Sequence, residues 1–316
     1  MELSHKSADG AAVAGIRRDL AAAEAMVDRL SRPGADTLSA IVVAYKTPGE
    51  LAAAVASLQA GSITPEEIIV VDNGAPDGEP LRGRSEWRGV RVELAPANVG
   101  YGAGCNIGAR SATGDELLVL NADVVLSGGA VAAMRARLAS DPRIGVVGPR
   151  ILSGGEIQLS ARAFPSFRTG LLGRRSRLTR LLIRVRRLPA EFRHTYGSGG
   201  AVDWVSGACM LVRREAFESV GGFDDRYWMY WEDADLCRRL VDLGWRIFYE
   251  PTAVVHHATG ASGTNERTIR AFHESAARFA RQHIVRSRVG HRAIELVLDW
   301  RCRLALRLYS RAGHDR

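Results

Sequence analysis

Residues 38–74 read LSAIVVAYKTPGELAAAVASLQAGSITPEEIIVVDNG. The opening LSAIVVAY is a near-continuous β-branched run, as expected of a strand buried on both faces of a parallel sheet. TPGELAAAVASLQAG is predicted as a helix, with Pro48 near its start and Gly61 just past its end. EEIIVVDNG is predicted as a second strand. Further along the chain, VRVELAPA is a third and DELLVLNADVVL a fourth, with a glycine-rich segment and a short helix between them. Alternating strand–helix units imply an α/β fold: an open, mostly parallel central sheet flanked by helices.

In such sheets ligands bind beyond the carboxyl ends of the strands. That rule selects Ala44 and Tyr45, Asp72 and Asn73, and Asn121, Ala122 and Asp123. An acid at a strand end also serves as a turn residue or helix cap. Two acids on one rim, Asp72 and Asp123, favour a binding site. The glycine segment between strands three and four is NVGYGAGCNIGA, residues 98–109. It fails the dinucleotide fingerprint in both registers. Starting at Gly100, the last position holds Cys105; starting at Gly102, it holds Ile107. Its small residues are instead expected to let a following helix lie close to a ligand. Asn98 or Asn106 is expected either to cap that helix or to hydrogen-bond near a bound ligand.

The second half contains VDWVSGACMLVRREAFESVGGFDDRYWMYWEDADLCRRLVDLGWRIFYEPTAVVHH. Glu232, Asp233 and Asp235 stand beside Trp228, Tyr230 and Trp231. On a helix, Asp233 and Asp235 point about 200° apart, so all three acids cannot share a face. Acids at a helix start also suit the macrodipole. Within an aromatic wall, however, burial raises a carboxylate's pKa and suits it to proton abstraction. The last predicted strand ends in His256 and His257, with Asp123 as a candidate partner.

The chain has 316 residues, 46% hydrophobic and 25% charged, with a net charge of +8. These are ordinary values for a soluble globular protein with ample length for a core. Cys105, Cys209, Cys237 and Cys302 form no CxxC pair, so neither a zinc ribbon nor a disulfide framework is expected. No signal peptide and no long apolar run is read, and the expected location is cytoplasmic. The basic balance invites a nucleic-acid reading, but no such module is present and the aromatics gather around acids, which repel phosphate.

The motifs VVAY, VVDNG, NVGYGAGCN, LNADV, SGACMLVRREAFESVGGFDDRYWMYWEDADLCRRL and VVHHATGAS together resemble the family 2 glycosyltransferases of GT-A fold. Within them, the likeness is to bacterial rhamnosyltransferases, nearest to actinobacterial members that add L-rhamnose to polyprenyl-diphospho-N-acetylglucosamine. It runs from about residue 38 to 263. The resemblance implies an inverting sugar transfer from a nucleotide-sugar, dTDP-L-rhamnose first, to a lipid-linked or other glycan acceptor. Asp72 would accept the N3–H of the base; Ala44, Tyr45, Asn98, Gly100, Tyr101 and Asn106 would line the donor pocket. The family's Asp-x-Asp motif stands here as Asn121-Ala122-Asp123. Asp123 with His257 would hold a divalent cation, Mn²⁺ or Mg²⁺. Asp233 would be the base, with Glu232 the alternative. Trp204, Gly207, Trp228 and Trp231 would line the acceptor side. Other readings are a catalytically silent nucleotide-sugar-binding subunit, or a transferase with a UDP-sugar donor and a soluble acceptor.

Three segments are expected: a leader helix and linker over 1–37, packed on the domain or on a second copy in a homodimer; a catalytic domain over 38–265, its donor half to about 125; and basic amphipathic helices over 266–316. Seven arginines lie between Gly173 and Leu188, and nine from Arg281 onward, interleaved with aliphatic residues. Helices of this type settle on an anionic membrane surface.

Overall fold

Seven consecutive buried residues, Leu38–Ala44, form β1, the apolar strand on which the sheet is built. The computed structural model describes residues 36–74, 81, 89–165, 199–258 and 265–314. The expected leader helix, the arginine run over 174–187 and the 259–262 end of VVHHATGAS lie outside the described residues. After β1 come α1 (Pro48–Gln59), with its proline in the first turn, β2 (Glu67–Asp72), β3 (Val90–Leu94), α2 (Tyr101–Ser111) and β4 (Glu116–Asn121). Strand β1 pairs parallel with β2 and β4 in a register that sets Ala44 beside Asp72 and Val43 beside Asn121. The three strand ends chosen from sequence therefore share one rim.

The expected fourth strand is in fact two. The chain turns at Ala122 and Asp123, and β5 (Val124–Leu126) leaves the neighbourhood of β4. Then follow α3 (Ala130–Ala139), β6 (Ile144–Ser153), β7 (Glu156–Gln158), β8 (Ala161–Arg162), β9 (Gly200–Val202), β10 (Trp204–Val205) and β11 (Cys209–Arg213). The rest comprises α4 (Arg214–Ser219), α5 (Glu232–Asp242), β12 (Arg246–His257), α6 (Glu266–Phe279), a π-type turn (Ala280–Ile284) and α7 (Arg288–His314). The sheet order is β3-β2-β1-β4-β11-β6-β12-β5. The first four strands are parallel, whereas β11 runs antiparallel to both β4 and β6. The second half is thus mixed.

One apolar layer joins α1 and α3 to the sheet through Leu51, Leu58, Met134 and Leu138. The other joins α2, α5 and α6 through Cys105, Leu236, Leu240 and Phe279. No helix among the described residues is long and apolar enough to cross a membrane.

The glycine segment departs from expectation. It does not precede a helix; it is the helix α2, and no side chain caps it. Its first flanking residue, Gly100, has φ +93°, and an added Cβ would lie 2.0 Å from the Trp228 carbonyl oxygen. At Gly108 a Cβ would lie 2.4 Å from Ile41 Cγ2. Glycine costs a helix roughly 0.5–1 kcal/mol per interior position relative to alanine. That cost is offset by the close packing of α2 on β1 and on the segment before α5. Gly100→Ala is expected to destabilise the fold by about 2–4 kcal/mol, through left-handed strain and overlap with backbone. Gly128→Ala, at a site where nothing lies within 4 Å, should be nearly neutral. Urea unfolding of the two variants checks this; equal stabilities would refute it.

Candidate active site

At the rim, Ala44 accepts the Asn73 N–H at 2.8 Å, and the buried Asp72 turns its carboxylate back to the chain. Asp72 Oδ1 accepts from Gly74 N–H at 3.1 Å and Oδ2 from Leu81 N–H at 3.0 Å. Each oxygen keeps a lone pair beyond these bonds. Asn73 ties this strand end to the glycine segment. Its Oδ1 accepts from Val99 N–H at 3.0 Å, and its amide donates to Gly100 O at 3.1 Å and Asn98 Oδ1 at 3.3 Å. Ala44, Asp72, Asn98 and Gly100 are thus brought together, with Tyr45 exposed at their edge. Sequence reasoning named Asn73 only as a strand end and did not foresee this bridge.

Asn106 corrects the sequence expectation on both counts. It neither caps α2 nor reaches the rim. Buried, it donates to Phe223 O at 2.8 Å and Asp225 Oδ1 at 2.6 Å, and accepts from Phe223 N–H at 3.0 Å. Its amide braces the aromatic segment instead.

Asp123 and His257 do meet. The β5–β12 register sets His257 opposite Val124, and His257 Nε2 lies 3.2 Å from Asp123 Oδ1. The other ring nitrogen, Nδ1, is 3.0 Å from Gln158 Oε1. In the tautomer that donates from Nδ1 to Gln158, Nε2 turns a lone pair toward a carboxylate oxygen. Two acceptors at that separation call for a positive charge between them, a proton or a cation. A carboxylate oxygen and an imidazole nitrogen with an orienting partner fit a divalent cation. No cluster of three or more His, Cys, Asp or Glu side chains with metal-binding geometry occurs among the described residues. Further ligands would have to come from a bound molecule or water. Asn121 holds the strand end by donating its N–H to Ala208 O at 3.0 Å, with Ala122 buried beside it. His256 points the other way and is exposed.

The three acids of α5 separate as helical geometry requires. Asp233 is half-buried; its Oδ2 accepts from Gly207 N–H at 2.9 Å and its Oδ1 from Ala234 N–H at 2.8 Å. The Tyr101 hydroxyl donates to the Gly207 carbonyl, so Tyr101, Gly207 and Asp233 form one unit. Burial pushes the Asp233 carboxyl up, against the lowering pull of the two N–H groups and of Arg162. Glu232 is sealed, its Oε2 without a hydrogen-bond partner among the described residues. Burial, reinforced by the neighbouring Asp233 charge, raises its pKa strongly. Asp235 is fully buried and taken up by Arg239 at 2.8 Å and His283 at 2.7 Å. Neither Arg162 nor His283 was legible as a partner, because each reaches its acid from a distant segment.

Trp204 and Trp231 stand otherwise than expected, whereas Trp228 keeps a place beside the cleft. Trp204 is nearly sealed, with Arg162 4.9 Å over its ring and its Nε1–H donated to Ala163 O at 3.1 Å, so it offers a sugar no open face. Trp231 packs between Phe272 and Phe279, at ring separations of 5.9 and 5.2 Å. Trp228 carries Arg267 at 3.9 Å from its ring centre and donates Nε1–H to Asn98 O at 3.1 Å. Tyr230 and Trp231 both hold left-handed φ, 66° and 70°, immediately before α5.

The profile of Glycosyl transferase family 2 matches residues 39–221. The chain is 34% identical, over 76% of its length and 82% of the relative's, to an N-acetylglucosaminyl-diphospho-decaprenol L-rhamnosyltransferase of Mycobacterium tuberculosis. Over a 62-residue stretch it is 48% identical to the Rhamnosyltransferase WbbL of Escherichia coli, covering 19% of the chain and 24% of that protein. Among solved structures, it resembles a mannosyltransferase of Pyrobaculum calidifontis in complex with GDP-Man and Mn²⁺. The TM-score is 0.51 at 18% identity, over 96% of the chain and 86% of that one. It also resembles GalNAc-T7 with UDP, GalNAc and Mn²⁺, at a TM-score of 0.59 and 20% identity. That likeness covers 79% of the chain but about half of the larger protein, 48%. The fold is GT-A.

The electrostatics of Glu232 have a thermodynamic consequence. Its folded pKa lies above the ordinary glutamate value, so its contribution is fully present below that value and is lost as pH rises toward the folded pKa. Glu232→Gln removes the titration. The variant should gain on wild type as pH rises from 4 to 8, by at least about 1.4 kcal/mol, the worth of one pKa unit. Denaturation at a series of pH values measures it; a pH-independent difference would exclude a buried protonated Glu232.

Proposed function

Because the chain belongs to glycosyl transferase family 2, we propose that it transfers L-rhamnose with inversion, from dTDP-L-rhamnose to a polyprenyl-diphosphate-linked N-acetylglucosamine. The observation that carries the catalytic reading is the meeting of Asp123 with His257 at the carboxyl end of the parallel strands, with the Tyr101–Gly207–Asp233 unit nearby. The choice of sugar and acceptor draws on the similarity to the mycobacterial and enterobacterial rhamnosyltransferases.

The donor base lies against Ala44 and Tyr45, and the free lone pairs of Asp72 accept its N3–H. Asp123 and His257 would hold a divalent cation, which would supply positive charge against the departing diphosphate. Asp233 takes the proton from the acceptor hydroxyl. That oxygen forms its bond to the anomeric carbon as the bond to the diphosphate oxygen breaks on the opposite face. Glu232, kept protonated by burial, leaves Asp233 the ionised member of the pair; two adjacent carboxyls resist ionising together. The N–H of Gly207 holds Asp233 in place without neutralising it.

Release of nucleoside diphosphate from dTDP-, UDP- and GDP-sugars, with acceptor and with or without Mn²⁺ or Mg²⁺, tests this reading. dTDP-L-rhamnose should be preferred, chelator should abolish turnover, and either metal should restore it. Asp123→Ala should be folded and inactive. Asp233→Asn should lose ~10²–10⁴-fold in rate with donor binding kept, the usual weight of a general base. Full activity in excess chelator removes the cation from the mechanism. An active Asp233→Asn beside an inactive Glu232→Gln transfers the base role to Glu232.

A lipid-linked acceptor requires the enzyme to work at a membrane surface, and the long C-terminal helix suits that setting on the cytoplasmic face. Along α7, Val289, Leu296, Trp300, Leu304 and Leu308 are exposed, flanked by the exposed Arg292, Arg303 and Arg307. Aliphatic and aromatic groups enter the interface while each arginine near an anionic surface adds on the order of 1 kcal/mol. The protein should float with anionic but not neutral liposomes and be released by high salt. Leu296→Ser with Trp300→Ser should weaken flotation and leave unfolding unchanged. Recovery in the soluble fraction throughout would favour a soluble acceptor.

A further inference from the structure

Outside the site just described, α6 and the segment before α5 enclose a cavity of ≈ 330 Å³ whose lining includes Arg226, Trp228, Arg267, Arg270, Glu274 and Arg278. Residues 267, 270, 274 and 278 recur at helical spacing, so one face of α6 presents three arginines and one glutamate. Arg226 completes the ring from the facing segment. Four guanidinium groups against Glu274 in the lining, with Asp224 and Glu266 at its margin, leave the cavity net positive. The internal pairings are weak where they are exposed: Arg270 lies 3.9 Å from Glu266, with both side chains more than half exposed. Arg226 has a close partner, Asp224 at 2.6 Å.

The walls are held together. Ser275 Oγ donates to Met229 O at 2.9 Å, fixing α6 to the aromatic segment, and Arg267 stacks on Trp228 at 3.9 Å. Trp228 in turn joins this cavity to the catalytic unit, since its carbonyl accepts the Tyr101 N–H at 3.2 Å. The cavity is therefore linked to Asp233 through Trp228 and Tyr101, although neither Asp233 nor Asp72, Asp123 or His257 lines it. Guanidinium groups arranged around a cavity match the oxygens of phosphoryl groups.

We propose that this arginine pocket binds the diphosphate of the lipid-linked acceptor, separately from the diphosphate of the donor. The proposal rests on the acceptor class proposed above. Binding the anion there holds the acceptor sugar toward Asp233, with Trp228 as the shared wall.

The test uses the full chain and a double variant, Arg270→Gln with Arg278→Gln, which spares the Trp228 stack and the Arg226–Asp224 pair. Titration calorimetry measures binding of three probes: a short-chain polyprenyl-diphospho-N-acetylglucosamine, a neutral alkyl N-acetylglucosaminide and inorganic pyrophosphate. The variant should bind the diphosphate lipid at least tenfold more weakly, with a shallower salt dependence. Its acceptor KM should rise in parallel while the donor KM and the response to the neutral glucosaminide stay as in wild type. Unchanged lipid binding overturns the proposal, as does equal weakening for the neutral compound. Pyrophosphate binding as tight as the lipid assigns the pocket to a free diphosphate and overturns the acceptor assignment. Lost lipid binding in the variant, with no rhamnose transfer by wild type, upholds the pocket and refutes the activity proposed above.

Discussion

Trp228 and the turn at 98–101 grip each other in both directions. The tryptophan carbonyl accepts the Tyr101 N–H, and its indole N–H goes back to the Asn98 carbonyl. This contact exists only because Gly100 has no side chain and tolerates a left-handed φ. Through it the parallel half of the sheet, with the Asp72 rim, is joined to the aromatic segment that leads into α5. Tyr101 extends the link to Gly207, and Gly207 to Asp233. One close backbone approach thus sets where Asp233 stands relative to the rim.

The acids of α5 are sorted by surroundings rather than by type. Asp235 is paired with Arg239 and hydrogen-bonded to His283, and Glu232 is shut away, its Oε2 without a hydrogen-bond partner among the described residues. Asp233 alone combines partial exposure with stabilising N–H groups. Holding this arrangement requires two successive residues in left-handed backbone, Tyr230 and Trp231, a strain of roughly 1–3 kcal/mol each for non-glycine residues. The packing of Trp231 on Phe272 and Phe279, and the Ser275 bond to Met229, keep that strained turn in place. Helix α6 therefore supports the turn that carries Asp233, although it lies beyond the family match at residues 39–221.

A single surviving acid at 123 is supported from across the sheet. Strand β5 leaves β4 and pairs with β12, and this crossing carries Asp123 to His257, with Gln158 of β7 orienting the imidazole. In the cation site proposed above, the His257 imidazole, oriented by Gln158, would stand in for the carboxylate that Asn121 does not offer.

The strands β1 to β4, α1 and the shared rim were legible in the sequence because they depend on local apolar runs and helix punctuation. So was the separation of Asp233 from Asp235, which follows from helical geometry alone. A pairing of Asp123 with the histidines at the end of the last strand was legible too, and resemblance to a family selected His257. What tertiary structure decided was everything set by contacts between distant segments. It made the glycine run a helix, since the close approach of Ile41, Val43 and Trp228 outweighs glycine's poor helix propensity. It took Asn106, Trp204 and Trp231 out of the open cleft, since their polar groups and rings meet partners or neighbours remote in sequence. It also turned β11 antiparallel within a sheet whose strands, read singly, carry no direction. Local patterning specifies elements and strand ends; which side chains face the cleft is set by long-range packing, which no single stretch encodes.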